Sequence, residues 1–124
     1  MKKYITGDLL HYKICNAKYL IEVTNTSKYG YCFKGVKDDF NGVICDEFIE
    51  DIPLTPEILE KNGWKKDKDG YFNDSYHIRL CESSTNYAAY KVVNKSIVWL
   101  RAVENVPDLQ HLLFGLDISL KIEV

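Results

Sequence analysis

The sequence has little of what usually announces a chemistry. Its four cysteines, Cys15, Cys32, Cys45 and Cys81, never stand two residues apart, so the spacings of zinc sites and redox motifs are missing. No phosphate-cradling glycine loop occurs: Gly30, Gly35, Gly42, Gly63, Gly70 and Gly115 stand singly and read as turn or cap residues. No apolar run approaches the about 20 residues of a membrane span. None follows Lys2 and Lys3 either, so the start lacks the pattern of a secretory signal. Neither charge sign dominates: 16 basic and 18 acidic residues give a net charge of −2 and no general attraction to nucleic acid or an anionic membrane. Without an export signal the cysteines read as reduced thiols, mostly in the core, and the chain as cytoplasmic.

Histidine is scarce too. His11, His77 and His111 are far apart, and a metal site would need two or three of them to converge with cysteines. His77 and Cys81 share a strand candidate, but four strand positions separate groups by about 13 Å, too far for a nucleophile and its base. Ser83-Ser84 lacks the glycines of a nucleophile elbow. Asp38-Asp39 and Asp46-Glu47 read as solvated pairs in turns and strand ends. No catalytic residue, metal ligand or cofactor is assigned, and the expectation is a non-enzymatic protein.

What is present is a packing pattern. Apolar residues make up 46% of 124 residues, enough for one domain with a core. The clearest local instruction is Ile52-Pro53-Leu54-Thr55-Pro56-Glu57-Ile58-Leu59-Glu60-Lys61-Asn62-Gly63-Trp64. Thr55 suits an N-cap and Pro56 the first helical position. Leu54 can staple onto Leu59, Gly63 can take the left-handed position past the helix, and Trp64 can fold back onto Leu59. Before this helix, Leu9–Cys15, Tyr19–Thr24, Tyr29–Val36 and Val43–Ile49 read as strands, with turns at Asn25-Thr26-Ser27-Lys28 and at Lys37-Asp38-Asp39-Phe40-Asn41-Gly42, whose Asn-Gly is the strongest signal. After it, Asp67-Lys68-Asp69-Gly70 turns a hairpin, and Tyr76–Cys81, Tyr87–Val93 and Ile97–Val103 read as strands. Asn105 can cap a second helix carrying Leu109, Leu112, Leu113 and Leu116, ended by Gly115. The alternation of Ile118, Leu120, Ile122 and Val124 with Ser119, Lys121 and Glu123 predicts a closing strand.

The expected fold is therefore α+β and mostly antiparallel. Residues 1–51 should form an SH3-like or curled small sheet, and residues 52–124 an α+β lobe with two short helices and the closing strand, the lobes sharing one core in a single domain, 1–124. The closing strand, at a sheet edge, predicts a homodimer.

The 52–64 segment, Gly70-Tyr71-Phe72 and Leu109-Gln110-His111-Leu112-Leu113-Phe114 together resemble a family of small uncharacterised proteins from prophages and mobile elements of Bacteroides-like gut bacteria. The resemblance covers about the last two thirds of the chain. Where the family has a Val-His pair entering the last helix, Val106-Pro107 stands here, so no role for that histidine carries over. The resemblance implies a bacterial or phage cytoplasmic accessory protein and no particular chemistry.

Nine tyrosines are the least ordinary feature of the composition. Strands favour tyrosine for packing alone, but tyrosine also supplies contact area and a directed hydroxyl in binding surfaces. Strict alternation in the last three strand candidates groups Tyr76, Ile78 and Leu80 with Ala88, Tyr90 and Val92 and with Val98, Leu100 and Ala102 as the face under the second helix. The opposite face would carry His77, Arg79, Tyr87, Lys91, Trp99 and Arg101, a set able to stack bases or hold acidic groups. The plainer reading is a solvated or covered outer face. The functional expectation is a binding module contacting a protein or nucleic acid; the alternatives are a small-molecule, nucleotide-like binding or sequestering protein, which a deep apolar pocket with basic residues would favour, and a small enzyme.

Overall fold

The computed structural model describes residues 4–124, so Lys2 and Lys3 lie outside the described residues. The chain divides into two compact units with the boundary between Ile52 and Pro53. Each holds one five-stranded antiparallel sheet, and the two short helices belong to the second, so the α+β, mostly antiparallel expectation holds.

The first unit contains β1 (Leu9–Ile14), β2 (Ala17–Ser27), β3 (Gly30–Gly35), β4 (Asn41–Ile44), a 3-10 turn (Asp46–Phe48) and β5 (Ile49–Asp51), in the spatial order β4-β3-β2-β1-β5. Cross-strand pairs Leu10↔Ile21, Val23↔Phe33 and Tyr31↔Ile44 put one apolar face together. With Tyr4 these residues form a buried core, flanked by Tyr12, Phe40 and Ile49. Tyr12, Tyr19, Phe40 and Phe33 close a ring of four aromatic contacts with centroids 5.5–6.3 Å apart, in the range where edge-to-face pairs add to simple burial.

Several local expectations fail here for identifiable reasons. Asn25–Ser27 is strand, because a bulge after Val23 lets Asn25, Thr26 and Ser27 pair with Cys32, Tyr31 and Gly30. The reversal falls at Lys28-Tyr29, and Gly30 is required there: its φ is +144° and a Cβ would lie 2.0 Å from the Ile44 carbonyl oxygen. The turn expected over Lys37–Gly42 ends two residues early, since Asn41-Gly42 already lies in β4, and the single strand expected over Val43–Ile49 is broken by the 3-10 turn. The thiols are free, but none is core: Cys15 and Cys45 are exposed, and Cys32 and Cys81 half-buried. Cys15 occupies the β1–β2 turn with a φ of +54°, which places its side chain outside the sheet's apolar face.

The second unit contains α1 (Pro56–Lys61), β6 (Lys65–Asp67), β7 (Gly70–Asn73), β8 (Ile78–Glu82), β9 (Tyr87–Val93), β10 (Ser96–Val103) and α2 (Val106–Gly115); the strands run β10-β9-β8-β7-β6 in space. α1 follows the sequence reading closely. Thr55 Oγ1 accepts from the Ile58 N–H, Pro56 opens the helix, and Gly63 takes a φ of +89°. The Trp64 N–H returns to the Leu59 carbonyl and the Gly63 N–H to that of Glu60, a Schellman closure. Leu54, Ile58, Leu59 and Trp64 are all buried.

α2 is capped by Asn105, whose side chain accepts from the Asp108 N–H, while Asp108 reaches back to the Glu104 N–H. Its end differs from expectation: Asp117, with a φ of +59°, takes the left-handed position, and the Ile118 N–H bonds the Leu113 carbonyl. Asp substitutes for glycine there because a short polar side chain tolerates that conformation. Gly115 remains within the helix.

The closing strand is absent. Residues 118–124 alternate in burial as their pattern demands, with Ile122 only 2% exposed, but they form no ladder. A side chain replaces the missing strand: Asn62 donates to the Glu123 carbonyl and accepts from the Glu123 N–H, both at 2.7 Å. The sheet edge on which self-association through this segment rested is therefore not formed.

Leu59 is fully buried between both helix closures, so Leu59→Ala should cost about 2–5 kcal/mol in a denaturant or thermal melt. A melt unchanged from the parent would contradict the clamp. In the first unit, His11 faces Glu50 across β1–β5, and its buried Nδ1 has no hydrogen-bond partner. Burial foremost, with the nearby Lys18 charge, lowers its pKa against the opposing pull of Glu50. Folding then disfavours the protonated form. Stability is complete above the ordinary histidine pKa of about 6.5 and falls as pH drops through it. The melting temperature of the parent should decline between about pH 7.5 and pH 5.5 more than that of His11→Gln; equal slopes would remove His11 as the cause.

Candidate functional site

The second sheet has two faces of different character. Facing pairs Tyr71↔Leu80, Leu80↔Ala89 and Ile78↔Lys91 define an inner face, on which Tyr71, Ile78, Leu80, Ala89 and Val103 are buried. On the outer face the register runs Phe72↔Arg79, Arg79↔Tyr90 and Tyr90↔Trp99, a straight row across four strands. None of these four side chains is buried, and Trp99 is 60% exposed. Val92 and the 62%-exposed Ile97 form a parallel apolar pair beside the row.

Arg79 is held in the row from two sides. Its guanidinium lies 5.2 Å from the Phe72 ring centroid, and it donates to Asp67 Oδ2. Asp67 is itself fixed by the hairpin, its Oδ1 accepting from the Asp69 and Gly70 N–H groups at 2.9 and 3.1 Å. The Arg79 hydrogen bond, followed by that from Asp69, lowers the Asp67 pKa. The opposed charges of the ion pair leave the middle of the row without net charge.

The six residues expected on one face are divided. Arg79 and Trp99 share the outer face, while Tyr87, Lys91 and Arg101 belong to the inner one. His77 is outside the strands, in the β7–β8 turn with a φ of +55°. The cause is parity. The β8–β9 connection, Ser83–Asn86, has four residues and is closed by the Ser83 N–H and Oγ on the Asn86 carbonyl. An even-length connection makes odd positions of one strand face even positions of the next, so alternation cannot be carried across it unchanged. The two-residue turn Asn94-Lys95 inverts parity again, returning Trp99 to the face of Arg79. A bulge between Trp99 and Arg101 then moves Arg101 to the other side.

The three inward residues have structural tasks. The Lys91 ammonium donates to the Tyr76 carbonyl and ties down the β7–β8 turn. Arg101 binds Asp108 at 3.3 Å and so anchors the start of α2. Tyr87 packs its ring 6.2 Å from that of Tyr71, and burial, followed by the nearby Tyr71 and Glu82, raises its pKa. Phe72 and Tyr90 were missed as members of the outer row. The parity of the Ser83–Asn86 connection is the signal that would have found Tyr90.

A cavity of about 350 Å³ is lined by Leu54, Glu82, Ser83, Ser84, Thr85, Asn86, Tyr87 and Glu104. It is polar, and its only charged lining groups are the carboxylates of Glu82 and Glu104. The cation nearest Glu82, Lys66, is already paired with it at 2.9 Å. This is the opposite of the apolar, basic pocket that a nucleotide-like ligand calls for. Among the described residues no group of three His, Cys, Asp or Glu is placed to hold a metal ion, and no helix is long and apolar enough to cross a membrane.

No protein-family model, curated protein or solved structure matches the chain.

Asp67→Ala removes the acceptor of two turn amides and the counter-ion of Arg79 at once. Hydrogen exchange at Asp69 and Gly70 should accelerate, and the variant should melt earlier than the parent at neutral pH. Parent-like exchange at both amides would show that the hairpin holds Asp67 and not the reverse.

Proposed function

We propose that the chain is a non-enzymatic cytoplasmic binding protein of phage or mobile-element origin, and that the outer face of its second sheet contacts a partner protein. The carrying observation is the outer-face row of Phe72, Arg79, Tyr90 and Trp99, the first three half-buried and Trp99 exposed. A contiguous aromatic surface costs solubility when it has no partner, and aromatic and arginine side chains supply most of the energy in protein interfaces.

The chemistry favours a protein over a nucleic acid. Affinity for a polyanion grows with phosphates neutralised by free cations. Here Asp67 neutralises the arginine of the row, and Lys65, on the outer face beside Phe72, lies 3.5 Å from Asp74. What remains is flat, apolar and aromatic. Stacking single-stranded bases needs such rings together with a cationic track, which this face lacks. The carboxylates of the Ser83–Asn86 cavity oppose a phosphate-bearing ligand in the same way.

The origin and the cytoplasmic setting rest on the sequence resemblance alone. For the first unit we propose an SH3-like barrel. In support, the final strand returns to pair with the first, β2, β3 and β4 follow as a meander, and a 3-10 turn precedes the last strand. That is a fold analogy and adds nothing to the function.

The test is affinity capture from bacterial lysate with the parent, Tyr90→Ser and Arg79→Gln, both central in the row and remote from the inner core. Tyr90→Ser should melt like the parent, and Arg79→Gln, which gives up the Asp67 ion pair, somewhat earlier but cooperatively; each should lose the captured protein by about tenfold, the effect of one interface side chain worth about 1.4 kcal/mol. Parent-like capture by both variants would overturn the assignment, as would a captured species that nuclease removes and whose yield falls steeply with salt.

A further inference from the structure

β10 is the outermost strand of the second sheet and, among the described residues, pairs only with β9. Its outer backbone N–H and C=O groups are a template for another strand. The opposite edge is guarded: β6 is three residues long, and all three, Lys65, Lys66 and Asp67, are charged. β10 has no such guard. It is eight residues long, and its segment from Ser96 to Leu100 carries no charge. Ile97, Val98 and Trp99 are each about half exposed or more. The one charge in the strand, Arg101, has been turned to the inner face by the bulge and engaged by Asp108. The bulge thus sets the strand's one cation beside Asp108 on the inner face and leaves Ser96–Leu100 without a charge.

We propose that β10 pairs antiparallel with β10 of a second copy of this chain, about a two-fold axis close to Val98, joining two five-stranded sheets into one continuous sheet. The segment is self-complementary in the sense this symmetry demands. Residues two apart share a face, so Ile97 of one copy stands beside Trp99 of the other, an aromatic–β-branched pair of the kind that stabilises antiparallel strands. Within Ser96–Leu100 no charges meet, because none is present; just beyond it the same register sets Lys95 of one copy opposite Arg101 of the other, whose charge is met by Asp108. A strand from an unrelated protein would satisfy the same backbone groups. Nothing on this edge selects such a strand by charge, whereas the two-fold match arises from this chain's own sequence. The aromatic row also ends at Trp99, on this edge, so a second copy prolongs it without covering it. The inference therefore stands apart from the partner-protein reading of the sheet face.

The interface is short, and buries less than the about 1,200 Å² of a standard one, so the dimer is weak and depends on concentration. Sedimentation equilibrium of the parent, from about 5 µM to about 500 µM, should show monomer giving way to dimer, with a dissociation constant on the order of 10 µM or weaker. Ile97→Lys puts a charge on the exposed edge without touching the inner core. It should melt like the parent and dissociate at least about tenfold more readily, as edge lysines block strand addition. Val43→Lys, at an exposed position of β4 in the other sheet, should leave the dimer unchanged. A parent that stays monomeric throughout overturns the proposal, even if β10 accepts a strand from another protein. A dimer that survives Ile97→Lys, or is lost in Val43→Lys, overturns the proposed surface.

Discussion

The organisation of the second unit depends on one constraint: the number of residues in each connection fixes which side chains face each other across the sheet. Ser83–Asn86 has four residues and Asn94-Lys95 two, so each hairpin pairs odd with even positions. That puts Ala89, and not Tyr90, against Leu80 in the core, and puts Tyr90 between Arg79 and Trp99 in water. A connection one residue longer at Ser83–Asn86 would exchange them. The polar inner positions are tolerable only because each has an assigned partner: Lys91 a carbonyl, Arg101 an aspartate.

Asp67 extends the same logic to charge. Its carboxylate closes the β6–β7 turn and then has an oxygen left for Arg79, so folding the hairpin also sets the electrostatics of the outer row. An arginine so held is a poor seat for phosphate. It is a good flat element between two aromatic rings, where its planar group can stack against a partner's apolar surface. The site's chemistry is in this way a consequence of a turn.

Elements with complete local signals were legible in the sequence. Thr55-Pro56 and Gly63-Trp64 fix both ends of α1 with capping bonds that span five residues or fewer, so no knowledge of the rest of the fold is needed. Asp67–Gly70 and Asn105 are of the same kind. What failed was non-local. The Ile118–Val124 alternation describes burial correctly, but a strand also needs a neighbour, and the one on offer is a side chain, Asn62. Asn25–Ser27 has turn composition, yet a bulge carries the pairing through it. At the candidate site the alternation held within β9 but broke inside β10, where a bulge between Trp99 and Arg101 parts the two, and did not reach His77, which lies outside β8; the relation between strands depended on loop parity. Arg79 and Trp99 were placed together because two parity inversions cancel.

The central claim is that Arg79, Tyr90 and Trp99 form one row on the outer face while Tyr87, Lys91 and Arg101 belong to the inner one. Cross-strand nuclear Overhauser contacts in labelled protein read this register directly. The account requires side-chain contacts from Tyr90 to both Arg79 and Trp99, and from Lys91 to Ile78 and Val98. Contacts that instead joined Lys91 or Tyr87 to Arg79 and Trp99, with Tyr90 against Leu80, would contradict it.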